Sequence, residues 1–206
     1  MNKNSRVKAV ISLDAVEQNF REMRKNIAED TKMIAVVKAD AYGHGAVPIA
    51  HLIEGYDYIW GFAAATAEEA IHLRQNGVTK PILILGIVFE EYYPELVRDD
   101  IRLAVCEYEE AEKLSKEAVL QNKTVHIHIA LDTGMTRIGY ADIPESVEEI
   151  KKIAGLPNLE IEGMFTHFSR ADEYDRSPAM VQLERYQKFS DLVEAAGVEI
   201  PLHHCS

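Results

Sequence analysis

Cysteine is nearly missing: Cys106 and Cys205 are the only two in 206 residues. That excludes a disulfide framework and any paired-cysteine metal motif, and it fits a reducing compartment. Positive charge is also short, with 22 Lys and Arg against 34 Asp and Glu and a formal net charge of −12. Such a balance argues against a general nucleic-acid or membrane-surface binder. No apolar run reaches the length of a membrane span, and the longest, residues 81–89, falls well short. Lys3, Arg6 and Lys8 are not followed by a signal-like apolar core, because Asp14 and Glu17 intrude. Linkers, low-complexity tracts and repeats are missing as well. These absences leave the expectation of one soluble, cytoplasmic domain with a substantial core.

What is present is a regular alternation of strand-like and helix-like segments. Residues 7–13 (VKAVISL) alternate weakly and predict a strand, and Asp14 opens a helix with Val16, Phe20, Met23 and Ile27 on one side. A series of apolar strands follows, at residues 33–37, 58–65, 81–86, 101–106, 124–131, 159–168 and 200–206. Between them lie helices. Thr66 and Glu69 have capping-box spacing, and Gly77 is a natural stop. Residues 87–99 read as helical or irregular, broken at Pro94, whereas Pro144 and Pro178 fit the first turn of a helix. Repeated βα units imply a parallel sheet with right-handed crossovers, either doubly wound or closed into a barrel, and pattern alone does not choose.

The stretch that organises the chain is residues 33–45, MIAVVKADAYGHG. Lys38 ends its apolar strand and faces the loop layer, where α/β folds bind ligands. A lysine there has two readings. It can snorkel at a sheet rim, its stem covering apolar surface. Alternatively, partial burial disfavours the ammonium form and frees a nucleophilic amine able to form a Schiff base. Gly43 and Gly45 allow a tight turn, and His44 reads as a polar loop residue.

VVKADAYGHG resembles the cofactor-lysine segment of the alanine racemase family, which uses pyridoxal 5′-phosphate (PLP). A second segment, LDTGMTRIG at residues 131–139, is similar to the family's LDTGM-x-R-x-G. A third, GMFTHF at residues 163–168, resembles the family's histidine-bearing strand end. The resemblance implies that Lys38 is the Schiff-base lysine and the base on one face of the substrate α-carbon. It implies that Tyr42 hydrogen-bonds the cofactor phosphate. Arg137 would lie near the PLP phenolic oxygen and the substrate carboxylate, a task suited to a permanent planar cation. His167 would pack against the cofactor ring. Asp132 remains readable as a turn or helix cap. No metal is expected: His126 and His128 share a strand face but lack a third ligand, and His203 and His204 point oppositely.

The implied fold is α/β, a (β/α)8 TIM-type barrel of the alanine racemase kind, here truncated within its seventh strand. Residues 1–206 would form the N-terminal PLP-binding barrel domain, incomplete, with the family's C-terminal β domain absent. The family's Asn-Ser phosphate pair, its pyridine-facing arginine and its second-base tyrosine would all lie beyond Ser206. A departure lies at Ala130, where many members carry a carbamate-forming lysine. The function expected is an alanine racemase interconverting L- and D-alanine, a cell-wall precursor, through a PLP aldimine, with this chain an incomplete and inactive portion. The alternatives are a single-domain PLP-binding carrier, a serine or broad-specificity amino-acid racemase, or a non-catalytic interaction fragment. The expected partners are alanine and, in the complete enzyme, a second copy in a homodimer, with neither nucleic acid nor membrane.

Overall fold

A computed structural model describes residues 6–206. Seven parallel strands run side by side in chain order: β1 (Met33–Val36), β2 (Ile59–Ala64), β3 (Ile82–Ile84), β4 (Arg102–Val105), β5 (Val125–Asp132), β7 (Leu159–Thr166) and β8 (Leu202–Cys205). A short β6 (Tyr140–Ala141), not foreseen from the sequence, pairs with the end of β5. Helix α1 (Leu13–Arg24) precedes β1. A single turn α2 (Lys38–Gly43) and α3 (Ala46–Ile53) follow β1, and α4 (Ala67–Gln75) follows β2. Then come α5 (Tyr93–Arg98), α6 (Tyr108–Gln121), α7 (Pro144–Ala154) and α8 (Ser177–Ala195), each in a crossover between strands. The sheet is the barrel type expected, laid out from an edge at β1 to an edge at β8.

Strand alternation divides the apolar residues between two layers. Leu103, Val105, Ile127, Ile129 and Ile161 join the large cluster under the helices, with Phe62, Leu96 and Phe189 fully buried in it. Their neighbours Ala104, Ala130 and Phe165 form a second cluster with Leu85 and Cys106 on the inner face. The helices start where side chains satisfy their free amides. Ser12 Oγ accepts from Ala15 N–H, and Thr66 Oγ1 accepts from Glu69 N–H. Arg74 donates to the carbonyls of Val78, Lys80, Asp99 and Asp100, tying α4 to the chain entering β3 and β4.

Two expectations need correction. Residues 7–12 carry no strand; Val7 and Val10 are exposed, and the sheet begins at β1. Alternation alone does not make a strand, because a ladder requires a neighbouring strand. Pro94 also does not break its helix. It stands in the first turn of α5, where its missing N–H has no intrahelical partner to lose.

Candidate active site

Lys38 leaves β1 at its C-terminal end, half-buried, and the backbone then turns against its usual hand. Ala39, Asp40, Ala41 and Tyr42 all have φ between 51° and 55°. Four successive L-residues in that region are unusual, each costing about 1–2 kcal/mol over a right-handed turn. The turn is held at both ends. Asp40 Oδ1 accepts from Ala46 N–H at 2.7 Å, fastening the turn to the start of α3. Glu69, on α4, accepts from Ala39 N–H at 2.7 Å and from Ala65 N–H at 2.8 Å. The turn brings Tyr42 back over the lysine, with Lys38 Nζ 6.0 Å from its ring centroid. Tyr42 is 62 % exposed and free to meet a ligand.

Arg137 stands on the loop between β5 and β6. Asp132 Oδ1 accepts from the N–H groups of Gly134 and Thr136, both at 2.9 Å, so this aspartate is a turn cap. Gly139 closes the loop at φ +114°, and a Cβ there would sit 2.8 Å from Asp132 N. Only glycine meets both demands. The loop is tied inward as well, because Thr133 Oγ1 lies 2.8 Å from Thr166 Oγ1 at the end of β7.

His167 follows β7 directly. Its Nδ1 lies 2.6 Å from Ser206 Oγ, and Phe168 N–H donates to Ser206 O at 2.8 Å. Burial, and then the positive charges of Arg137 and Lys38, hold the His167 imidazole below its ordinary value. Arg137 and Lys38 thus both act electrostatically on His167, the three residues following three separate strand ends. Gln182 of α8 is buried beneath them. It donates to Thr133 Oγ1 and to His167 O, and it accepts from Ser169.

Between these strand ends lies a cavity of about 350 Å³. Val36, Leu85, Ala130 and Phe165 supply apolar wall, and Arg137, His167 and Ser206 supply polar groups. Lys32 adds a second cation, and among the described residues no Asp or Glu side chain lines the cavity in a chain of net charge −12. Lys38 and Tyr42 are not among its walls; they follow in α2, just past the end of β1 at Val36. Ala130 is packed with Ala104 and Phe165.

Deeper in the barrel is a polar chain. Arg102 of β4 pairs with Glu162 of β7, which faces His128 Nε2 at 3.2 Å. His128 Nδ1 lies 2.8 Å from His204 Nε2, and His204 stacks on Phe165 and reaches the cavity. His203 turns the other way, to Tyr186 Oη at 2.9 Å, as the alternation predicts. His128 is fully buried, so the shared face with His126 serves the interior. Among the described residues, no group of three or more His, Cys, Asp or Glu is arranged to hold a metal. Nor is any helix there long and apolar enough to cross a membrane.

The family profile described as alanine racemase, N-terminal domain, matches residues 11–206. The chain belongs to the alanine racemase family. It is 39% identical over 196 residues to "Alanine racemase 1" of Caldanaerobacter subterraneus subsp. tengcongensis, covering 94% of this chain and 50% of the relative. With the alanine racemase of Methanococcus maripaludis it shares 40% identity over 200 residues, covering 96% and 53%. The solved alanine racemase of Clostridium difficile 630 superposes with a TM-score of 0.91 at 39% identity, covering 94% of this chain and 50% of that one. The chain thus spans about half the length of the curated relatives it matches. The family's parallel barrel accounts for the strand order seen here.

Sequence reasoning singles out Lys38, Tyr42, Arg137 and His167 as candidates but misses what holds them in place. Glu69 carries a signal, its capping-box position, yet its carboxylate serves Ala39 and Ala65 rather than the Thr66 amide. Gln182 carries none, since a glutamine in an amphipathic helix reads as an ordinary surface residue.

Proposed function

We propose that Lys38, Tyr42, Arg137 and His167 form a PLP site and that the protein interconverts L- and D-alanine. The observation that carries this reading is the convergence of Lys38 and Arg137 on His167, beside a cavity whose described walls hold no Asp or Glu side chain. PLP is a flat, anionic aromatic molecule, and amine, guanidinium, phenol and apolar wall are the groups that suit it. The relatives are named alanine racemases, which favours alanine over serine.

Each residue has a task that its position supports. Lys38 would hold the cofactor through its amine, and its amine is the group placed to take or return a proton at the substrate α-carbon. Arg137 binds the anionic oxygens of substrate and cofactor through its planar fork. The Tyr42 hydroxyl donates to the phosphate. His167 stays neutral beside two cations, with Nδ1 engaged by Ser206, and offers its ring face for packing. When bound, PLP accepts the electron pair left at the α-carbon as its proton departs. The proton-moving group on the opposite face, a homodimeric assembly and a cytoplasmic location belong to the same proposal.

The test is to incubate the protein with PLP, reduce with borohydride and map the modified peptide by mass spectrometry. One adduct at Lys38, missing in Lys38→Arg, is expected. Label scattered over surface lysines refutes the site. D-alanine formed from L-alanine by the full-length protein, measured beside L-serine, tests the substrate, and light scattering tests the dimer.

A further inference from the structure

The hydrogen bonds that β1 exchanges with β2 end at Val37, whose N–H donates to Ala63 O at 2.8 Å. One residue later comes Lys38, and the backbone turns left-handed. At that point a side chain continues the bridge between the two strands. Glu69 Oε1 takes the Ala39 amide at 2.7 Å, and Oε2 takes the Ala65 amide at 2.8 Å, just past the end of β2. A capping-box glutamate would turn its carboxylate back to the first residue of its own helix. Here it spans 30 residues of sequence to reach the peptide bond that follows Lys38.

We propose that Glu69 is the positioning residue for Lys38: its two-oxygen clasp on the Ala39 and Ala65 amides holds the left-handed turn and so sets the direction of the lysine amine and the Tyr42 hydroxyl. This rests on the reading of Lys38 as the residue that takes PLP. A turn of four left-handed L-residues relaxes unless its amides are held, because the favoured basin lies at negative φ. Asp40 secures only the far end, through Ala46. Glu69 alone among these side chains holds the amide next to the lysine. A glutamine is the sharpest probe, since it keeps the length and volume but offers a single acceptor oxygen, enough for one of the two amides.

The experiment compares the full-length protein with Glu69→Gln, Glu69→Ala and Thr66→Ala, the last removing the α4 cap without touching the clasp. Two readouts are taken: amide hydrogen exchange of the peptide covering residues 38–45, without cofactor, and the share of borohydride-fixed PLP found on Lys38. Glu69→Gln is expected to speed exchange in 38–45 by about tenfold while the β4 and β5 peptides stay protected. The Lys38 share of the label falls with it, and Thr66→Ala changes neither by as much. Unchanged exchange in Glu69→Gln, or equal loosening in Thr66→Ala, overturns the assignment. Label missing from Lys38 in the parent overturns the cofactor reading instead, and the exchange of residues 38–45 still decides for or against Glu69.

Discussion

His128 Nδ1 and His204 Nε2 face each other at 2.8 Å inside the barrel, so one nitrogen carries the proton and the other is bare. Glu162 decides which. Burial would raise its carboxyl, but hydrogen bonds from His128 and Arg102 outweigh this and hold it at about 2. His128 Nε2–H therefore donates to an ionised Glu162, its Nδ1 is bare, and His204 Nε2–H donates to it.

Acid sensitivity follows from this pair. Burial lowers both imidazoles, His204 to about 3. The unfolded chain protonates both below about pH 6.5, while the native chain resists, so stability falls as the pH drops through that range. Each histidine contributes at most about 1.4 kcal/mol per pH unit. His126, pushed up by its hydrogen bond to Asp100, acts in the opposite sense and cancels between parent and variant. Urea midpoints at pH 7.5 and 5 are expected to diverge more for the parent than for His204→Phe. Equal acid dependence in both refutes the neutral pair.

Glu110 predicts the reverse trend. Burial lifts its carboxyl to about 7, and although Oε2 accepts from Cys106 N–H, Oε1 is buried without a partner among the described residues. The native chain keeps this proton where the unfolded chain has lost it, so stability is lost as pH rises from about 4.5 to 7. Glu110→Gln is expected to stabilise by about 1–3 kcal/mol at pH 8 and to change little at pH 4. A lower melting temperature for the variant at pH 8 would count against this.

Gly163 is required by His128. A Cβ at Gly163 would lie 2.6 Å from His128 Nδ1. Gly163→Ala is expected to cost about 1–3 kcal/mol by overpacking. Adding His128→Ala makes room for the methyl, so the double-mutant cycle should show favourable coupling of about 1 kcal/mol or more. Strict additivity in denaturant titrations would show that the contact is not the cause.

Gln182 links the Arg137 loop to His167. Gln182→Leu keeps the volume roughly but leaves Thr133, His167 and Ser169 short of partners. A loss of about 1–3 kcal/mol is expected, carried by Thr133, the one of the three that is buried, since an abandoned buried group costs about that much. PLP labelling of Lys38 should weaken too. A variant as stable as the parent in urea would place these groups in contact with water instead.

The strands themselves are legible in the sequence because each is a short apolar run bounded by a helix pattern, and a parallel sheet buried on both faces needs such runs, whereas their order around a barrel is implied only by the family resemblance. Ala46, Ile49, Ala50 and Ile53, which recur at helical spacing, are all buried. The candidate site residues stand out because their motifs are long and ordered along the chain. Residues 7–13 mislead because alternation records a tendency and not the presence of a neighbour. The left-handed turn is invisible because residues 39–42 contain no glycine to announce it. Long-range supports such as Glu69 to Ala39 stay hidden because a hydrogen bond across 30 residues leaves no local pattern.

That turn has one more consequence. At Ala39, exposed and held at φ 51°, the backbone follows the mirror image of the path an L-residue prefers. The enantiomer fits there without strain, by about 1 kcal/mol or more. Beside Lys38, a chain built wholly of L-amino acids thus keeps a position shaped for D-alanine in its own main chain.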